Sequence, residues 1–219
     1  MLPTVIIFIV STIVPYLLGS IPFGLLLTRM AGLGDIRNVG SGNIGATNVL
    51  RTGHKSIAAL TLVLDGGKGA LAVGLAALVN QYFFSASPIL ALNLVIIGHC
   101  FPIWLKFKGG KGVATFLGAW LAFDWPTGLI LCLIWLIVAL VFRYSSVASL
   151  VSALASFFIW FHYLAPEDHN FVSMTFDQQV GYSTWFVLPI VILFWRHRQN
   201  IIRLIKGTES TIKLSKTKS

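Results

Sequence analysis

The feature that most constrains this chain is an uncharged apolar segment near its N-terminus. Residues 2–28 contain no Asp, Glu, Lys, Arg or His. An α-helix rises about 1.5 Å per residue and needs about 20 apolar residues to cross the hydrocarbon core of a bilayer. The segment therefore predicts one full transmembrane helix. It lacks the basic stretch and the small-residue cleavage site of a signal peptide, so we expect it to be retained as a span.

The same apolar character continues along the chain. Of the 219 residues, 56% are hydrophobic and 11% are charged, whereas about 25% of the residues in an average globular chain are charged. This composition excludes a soluble fold and predicts an all-α integral membrane protein with seven transmembrane helices. The six further apolar segments lie at residues 56–79, 84–104, 113–123, 127–142, 146–164 and 182–195.

The basic residues follow the alternation of loops that seven spans impose. Of the 16 Lys and Arg residues, all except Lys68 fall in the loops of one side or in the C-terminal segment. By the positive-inside rule, the N-terminus lies outside and the C-terminus lies in the cytoplasm. We expect residues 1–209 to form a single membrane domain and residues 210–219 to form a basic, disordered cytoplasmic tail.

Charge and cysteine content exclude several other classes. The net charge of +9 is explained by topology and by contact with anionic lipids, so we expect no nucleic-acid partner. Cys100 and Cys132 lie in apolar stretches without the spacing of a zinc site or a disulfide framework. The acids on the cytoplasmic side or within the spans are only Asp35, Asp65 and Glu209, so we expect no metal.

The loop after the first span is rich in glycine and small polar residues. It reads GSGNIGATNVLR from Gly40 to Arg51. Glycine allows the positive φ angles that turn successive amides toward an anion, Ser, Thr and Asn add neutral donors, and Arg binds phosphate through two donors. This pattern favours phosphate binding. Taken alone, an ordinary glycine-rich turn explains the loop equally well.

A second glycine-rich loop, KFKGGKG at residues 106–112, precedes the fourth span. Its amides, the N-terminus of the following helix and Lys111 could all face one anion. The spacing is not that of a Walker motif, so we do not expect nucleotide hydrolysis.

A third polar segment, residues 196–209, follows the last span. Helical spacing places His197, Asn200 and Arg203 on one face. An interfacial amphipathic helix is the alternative interpretation of this segment. Three phosphate-suited segments on one side of the membrane together favour a site.

Charged and titratable residues also lie within the predicted spans. Asp65 and Lys68 are three residues apart in the second span and can neutralise one another, which is how such residues usually persist in a membrane. His99, at the end of the third span, could be catalytic, but a hydrogen bond to a loop carbonyl is an equal alternative. We expect all three to support the site structurally.

Five segments together resemble a known family. They are GSIPFG at residues 19–24, the run from 35 to 51, DGGKG at 65–69, GHCFPIWLKFKGGKGVAT at 98–115 and HRQNIIRLIKGTE at 197–209. In sequence and in order they are similar to the bacterial acyl-phosphate:glycerol-3-phosphate acyltransferases.

The resemblance implies an enzyme of the bacterial inner (cytoplasmic) membrane with its active site on the cytoplasmic face. It implies transfer of a fatty acyl group from acyl phosphate to the 1-hydroxyl of glycerol 3-phosphate, which yields lysophosphatidic acid and inorganic phosphate. We expect acyl phosphate, glycerol 3-phosphate and membrane lipids as partners. We also expect a monomer without a cofactor.

The motif match implies catalytic roles for five residues: Ser41, Arg51, Lys111, His197 and Asn200. Their neighbours are expected to bind substrate or phosphate: Gly40, Gly42, Asn43, Thr47, Asn48, Gly109, Gly110, Gly112 and Arg203. Structural support is expected from Asp65, Lys68, His99 and Glu209.

The chemistry implied by the resemblance needs no strong protein nucleophile. Acyl phosphate is a mixed anhydride with a good leaving group, so we expect direct attack by the hydroxyl, with its proton taken by a substrate phosphate. No histidine has an Asp five residues later, the pattern of acyltransferases that use thioesters. A transporter for an organic phosphate is the alternative function. It is disfavoured because the polar clusters lie at the cytoplasmic ends of spans rather than near the midplane.

Overall fold

The computed structural model describes residues 2–83, 87–161 and 176–212, and within these ranges every regular element is helical. The all-α prediction is therefore confirmed for this part of the chain. The α-helices are α1 Leu2–Phe8, α2 Val14–Ser20, α3 Phe23–Met30, α4 Ala46–Leu50, α5 Lys55–Phe83, α6 Pro88–Cys100, α7 Val113–Phe123, α8 Trp125–Phe142, α9 Ser145–Ile159, α10 Phe176–Arg196 and α11 Arg198–Ile205.

Seven of these helical segments are apolar. Within the described ranges, four are long enough to cross a membrane: Thr4–Met30, Lys55–Gln81, Pro88–Leu105 and Trp125–Phe142. Three are shorter: Val113–Phe123, Ser145–Ile159 and Ser183–Arg196. Each segment overlaps one apolar run of the sequence, and residues 84–86 and 162–164 of the predicted third and sixth spans lie outside the described residues. Passage of all seven through the membrane, with the N-terminus outside and the C-terminus in the cytoplasm, stays a prediction.

The first predicted span, residues 2–28, is interrupted near its end. A π-helical turn, Ile9–Ile13, joins α1 to α2, and the helix then breaks at Ile21 and Pro22 before α3 begins. Proline disfavours the helical conformation of the residue before it. Ile21 accordingly has ψ 115°, which is extended. The break is a local consequence of one proline.

The chain falls into two compact units, Met1–Gly128 and Leu129–Ser219. Glycines allow the closest packing in the first unit. A Cβ at Gly69 of α5 would lie 2.2 Å from the Thr115 carbonyl oxygen of α7, and one at Gly118 would lie 2.0 Å from the Gly66 carbonyl oxygen. Such distances leave room only for hydrogen, so the backbones of α5 and α7 touch directly, as small residues permit in membrane helices.

In the second unit, polar side chains join α8 and α9. The Trp135 indole donates to Ser149 Oγ at 3.1 Å, and Ser152 Oγ donates to the Leu131 carbonyl oxygen at 2.9 Å. Interhelical hydrogen bonds of this kind hold helices together where water is absent. A single domain over residues 1–209 stays a prediction, and residues 213–219 of the predicted tail lie outside the described residues.

Candidate functional site

The first glycine-rich loop is organised by the side chain of Asn48. This residue is 2% exposed. Its amide nitrogen donates to three loop carbonyls, those of Ile36 at 3.1 Å, Val39 at 2.9 Å and Asn43 at 2.8 Å. Its amide oxygen accepts the backbone amide and the hydroxyl of Ser41, at 2.9 and 3.2 Å. Asn48 was expected to bind phosphate. Instead, both polar atoms of its side chain form hydrogen bonds that hold the loop in shape.

Ser41 and Arg51 come together on the exposed side of the same loop. Gly40 has φ +58° and Gly42 has φ +69°, in the left-handed region that glycine tolerates. A Cβ on Gly40 would lie 2.5 Å from Asn48 Oδ1 and 3.2 Å from Arg51 Cδ. The arginine stem thus runs beside the Gly40–Ser41 backbone. The positive φ angles expected from the sequence are present at both glycines.

Asn43 and Thr47 of this loop were also predicted to bind substrate or phosphate. Asn43 turns its side-chain oxygen back to accept the amide of Ile44 at 3.0 Å. Thr47 lies in the short helix α4 and is half-buried.

Asp35 binds two arginines near this loop. Asp35 accepts from Arg29 at 2.9 Å and binds Arg37 through both carboxylate oxygens. The hydrogen bond from the Arg37 guanidinium holds the pKa of Asp35 well below its ordinary value. Asp35 therefore engages both Arg29 and Arg37.

The second glycine-rich loop folds back against the end of α6. The amide of Gly109 donates to the Cys100 carbonyl at 3.1 Å, and the amide of Gly110 donates to the His99 carbonyl at 3.0 Å. These two amides, expected to face phosphate, are therefore engaged by the backbone. Gly112, with φ +83°, is the residue before α7. The loop thus presents Lys111 immediately before a helix N-terminus, where the backbone favours an anion.

Asp65, Lys68 and His99 meet inside the first unit. Lys68 Nζ lies 2.7 Å from Asp65 Oδ1, as their spacing predicts. His99 Nδ1 lies 3.7 Å from the same oxygen and 3.3 Å from Thr115 Oγ1. All four residues are at least nine-tenths buried.

The C-terminal polar segment is organised by Glu209. Asn200 Nδ2 and Ser146 Oγ donate to Glu209 Oε1 at 2.6 and 2.9 Å, and Arg203 Nε donates to Oε2 at 2.7 Å. Burial would raise the pKa of Glu209, but the hydrogen bonds from Asn200, Arg203 and Ser146 outweigh it and leave that pKa below its ordinary value. Arg203, expected to bind phosphate, gives its Nε to this carboxylate.

Gly207 reverses the direction of the chain after α11, so that Glu209 can contact side chains of that helix. Gly207 has φ +66°, its amide donates to the Leu204 carbonyl at 3.1 Å, and the next amide donates to the Arg203 carbonyl at 2.8 Å. This is a Schellman motif, which ends a helix with a left-handed residue.

His197 lies at the junction of α10 and α11 and is 2% exposed. Its Nδ1 lies 2.8 Å from the carbonyl oxygen of Leu193. A carbonyl can only accept, so in the neutral ring the proton belongs on Nδ1 and Nε2 is the acceptor. Asn200, one turn along α11, is 4% exposed and its Oδ1 has no hydrogen-bond partner within the described ranges.

Sequence reasoning missed Ser146. It is the second residue of α9, far along the chain from the motif residues, and is 2% exposed. One serine at the start of an apolar helix carries no signal in the sequence, and its role depends on Glu209, which is 63 residues away. No cluster of three His, Cys, Asp or Glu side chains suited to a metal ion is present in the part of the chain that the structure describes.

Fold and site together define a class. Where the structure describes it, the chain is helical and apolar like a membrane protein, and each unit holds polar side chains at the ends of apolar helices, as suits an anionic substrate with an apolar chain.

Comparison with known proteins gives the family. The family model described as glycerol-3-phosphate acyltransferase matches residues 9–207. The glycerol-3-phosphate acyltransferase of Maricaulis maris (strain MCS10) is 51% identical over 198 residues, 90% of this chain and 83% of its own. That of Rhodospirillum rubrum is 52% identical over 208 residues, 93% of this chain and 90% of its own.

Solved structures agree with this result. PlsY (YgiH), an integral membrane glycerol 3-phosphate acyltransferase, has a TM-score of 0.79 and 35% identity in its glycerol 3-phosphate form, with 94% of each chain covered. Its lysophosphatidic acid form has a TM-score of 0.77 and 33% identity, again over 94% of each chain. The chain belongs to the glycerol-3-phosphate acyltransferase family, which confirms the resemblance seen in the sequence. It is an integral membrane acyltransferase.

Proposed function

We propose that this enzyme transfers a fatty acyl group from acyl phosphate to the 1-hydroxyl of glycerol 3-phosphate. The hydroxyl oxygen forms an ester bond with the acyl carbon, the bond from that carbon to the phosphate oxygen breaks, and inorganic phosphate leaves. The products are lysophosphatidic acid and inorganic phosphate. The enzyme works as a monomer, without cofactor or metal, in the inner membrane of a bacterium with its polar loops on the cytoplasmic face.

The observation that carries the proposal is the similarity to PlsY over 94% of the chain. That relative has a glycerol 3-phosphate form and a lysophosphatidic acid form. These molecules are the acceptor and the acylated product of the proposed reaction. The acyl phosphate donor rests on the motif resemblance and on the chemistry of a mixed anhydride, which needs alignment and charge neutralisation more than a nucleophile.

In the first unit, Arg51 and Lys111 bind phosphate oxygens. The stem of Arg51 lies beside Gly40, and its planar guanidinium suits bidentate binding of phosphate. The hydroxyl of Ser41 is held in place by Asn48 Oδ1 at 3.2 Å and orients the substrate. Gly40 and Gly42, which have no side chains, let the substrate approach the loop backbone.

The second unit carries a buried acceptor of its own, Asn200 Oδ1, which suits a hydroxyl donor. This atom has no partner among the residues that the structure describes, and a buried acceptor of this kind calls for a ligand or water. Glu209 fixes the orientation of the side chain by accepting from Nδ2. The contact of His197 Nδ1 with the Leu193 carbonyl fixes the orientation of the imidazole ring.

The proton of the attacking hydroxyl passes to a substrate phosphate. Phosphate is an adequate base when it is held beside the hydroxyl, and the released phosphate carries the proton away. His197 then orients the acceptor without acting as the general base. A His197→Ala variant should keep the acidic limb of its pH–rate profile, on which the rate falls as a general base is protonated, while its overall rate falls. Loss of that limb, with affinity for glycerol 3-phosphate intact, would identify His197 as the base.

The proposal is tested with purified protein in lipid and labelled glycerol 3-phosphate. Acyl phosphate and acyl-CoA are supplied separately, and Ser41→Ala is the matched variant. We expect labelled lysophosphatidic acid from acyl phosphate alone and little product in the variant. Product from acyl-CoA alone would contradict the donor assignment.

An absence of product from either donor, in protein shown to be folded, would favour the organic-phosphate transporter. Uptake of labelled glycerol 3-phosphate into sealed vesicles would then be measured. Topology is tested independently by labelling single cysteines placed in the loops, with inside and outside label expected to alternate through seven spans.

A further inference from the structure

A buried ionic network in the first unit contacts the helix break before α3 at one end and the lysine loop at the other. Lys68 Nζ lies 2.7 Å from Asp65 Oδ1, and His99 Nδ1 lies 3.7 Å from that same oxygen. The exposed fractions of the three residues are 4%, 2% and 4% in the order Lys68, Asp65 and His99. Ionised groups in a membrane span are costly, and their retention indicates a function.

One end of the network holds the break in the first span. Lys68 Nζ donates to the Ile21 carbonyl oxygen at 2.7 Å and lies 5.5 Å from the centre of the Phe23 ring. The Ile21–Pro22 break sets where α3 starts. In α3, a Cβ on Gly24 would lie 1.9 Å from the carbonyl oxygen of Ile44. The helix that Lys68 positions therefore packs directly on the backbone of the Ser41 loop.

The other end holds the lysine loop. A Cβ on Gly110 would lie 2.1 Å from His99 Nε2, so the imidazole ring rests against the loop backbone. The His99 carbonyl accepts the Gly110 amide at 3.0 Å. His99 Nδ1 also lies 3.3 Å from the hydroxyl of Thr115 in the first turn of α7. A shift of His99 would therefore move the residues on both sides of Lys111.

We propose that Asp65, Lys68 and His99 are positioning residues that hold the Ser41–Arg51 loop and the Lys111 loop in the register that binds the phosphate of glycerol 3-phosphate. The inference rests on the proposed function, because it assigns phosphate binding to these loops. It gives the buried ion pair a role in substrate affinity that goes beyond membrane stability. In this role the three side chains act through the two loops.

The test replaces the ion pair with apolar residues of similar volume in the double variant Asp65→Leu/Lys68→Met. Buried ion pairs replaced in this way often leave stability unchanged or higher, so loss of folding is not the expected outcome. We expect the KM for glycerol 3-phosphate to rise at least about tenfold (about 1.4 kcal/mol of binding free energy), with a smaller change in kcat. Loss of folded protein would instead lower kcat and leave KM unchanged.

A second variant, His99→Gln, removes the imidazole contact with Gly110 and leaves the ion pair in place. We expect the same direction of change in KM. The matched control is Ser152→Ala, which deletes a buried side-chain hydrogen bond between α8 and α9 and should leave KM within twofold. A KM within twofold of the wild-type value in either network variant, in folded protein, would overturn the proposal.

A binding measurement separates this inference from the proposed function. The shift in unfolding temperature caused by glycerol 3-phosphate gives its Kd without any acyl donor. If the wild-type enzyme binds glycerol 3-phosphate but makes no product from acyl phosphate, the donor proposal fails. A weaker Kd in the network variants then still supports the positioning role, and an unchanged Kd overturns it.

Discussion

The Ser41 loop and the C-terminal segment are each organised by one buried side chain, and the two side chains differ in charge. Asn48 is neutral and holds its loop through hydrogen bonds to backbone groups and to Ser41. Glu209 is charged and holds its segment through the side chains of Asn200, Arg203 and Ser146. The first arrangement fixes a backbone shape, whereas the second fixes side-chain orientations. They should fail in different ways.

The largest effect is expected from Glu209→Ala. The change leaves the buried donors of Asn200 and Ser146 unsatisfied and Arg203 without its carboxylate, which costs about 3 kcal/mol of unfolding free energy. The unfolding temperature of the purified protein measures the loss. Glu209→Gln is the matched variant, since it keeps the shape and one acceptor and should lose less. An unfolding temperature equal to that of the wild type would show that Glu209 does not organise the segment.

Asn48→Leu should act mainly on activity. Leucine has a similar size but cannot form hydrogen bonds with the loop carbonyls or with Ser41. The loop backbone that positions Ser41 and Arg51 is then no longer held in place. We expect kcat/KM for glycerol 3-phosphate to fall about 30-fold, or about 2 kcal/mol. The control is Asn38→Ala, an exposed asparagine close to the same loop, which should stay within twofold. A stability loss without a change in kcat/KM would remove the proposed contrast between the two segments.

Low pH should destabilise the C-terminal segment, which the charged Glu209 organises, and should not affect the hydrogen bonds of the neutral Asn48. The pKa of Glu209 is lowered in the folded protein from its ordinary value of 4.5. Its stabilising contribution is therefore fully present above about pH 4.5 and is lost as the pH falls through the lower folded-state value. The unfolding temperature is measured between pH 7 and pH 3.

The Glu209→Gln variant isolates this titration. Asp35 also has a lowered pKa, and it titrates in both proteins, so its contribution cancels in the difference. We expect the advantage of the wild type over Glu209→Gln to shrink toward low pH. A difference that is constant over the whole range would mean that Glu209 is not the titrating group.

The smallest effect is expected from Arg37→Ala. Arg37 is paired with Asp35 on the exposed surface, and exposed ion pairs contribute about 0–1 kcal/mol. Stability should change by less than about 0.5 kcal/mol, and kcat/KM should stay within twofold. Arg51→Ala, in the same basic loop, should reduce kcat/KM at least about 100-fold because it removes a bidentate phosphate ligand. An equal loss of kcat/KM in the two variants would mean that Arg37, although paired with Asp35, contributes to activity as much as Arg51 does.

Much of the fold could be predicted from the sequence because helices in a membrane are local structures. A run of apolar residues is sufficient to predict where a helix lies, since each backbone group must bond within its own helix. The predicted fourth span, residues 113–123, matches α7 Val113–Phe123. The break at Ile21 was the main difference in the helices, although the Pro22 that causes it was visible in the sequence.

The roles of individual polar residues were less predictable. Gly/Ser/Asn/Arg and Gly/Lys patterns pointed to the two loops, and the i, i+3 spacing pointed to the pair of Asp65 and Lys68. Nothing in the sequence separates Asn48, whose polar atoms are spent on the loop, from Asn200, whose Oδ1 has no partner among the residues described. Both are asparagines within a polar motif, and only their neighbours differ.

The sequence by itself determined the class of protein, the helical segments, the family and the three polar segments, because composition and motifs are carried by neighbouring residues. The tertiary structure decided which polar groups are bound within the chain and hold the polar segments in shape. Gly109 and Gly110 have their amides bound to the end of α6, and Arg203 has its Nε bound to Glu209. The physical reason is that a buried polar atom must find a partner, and in a folded chain that partner can lie dozens of residues away.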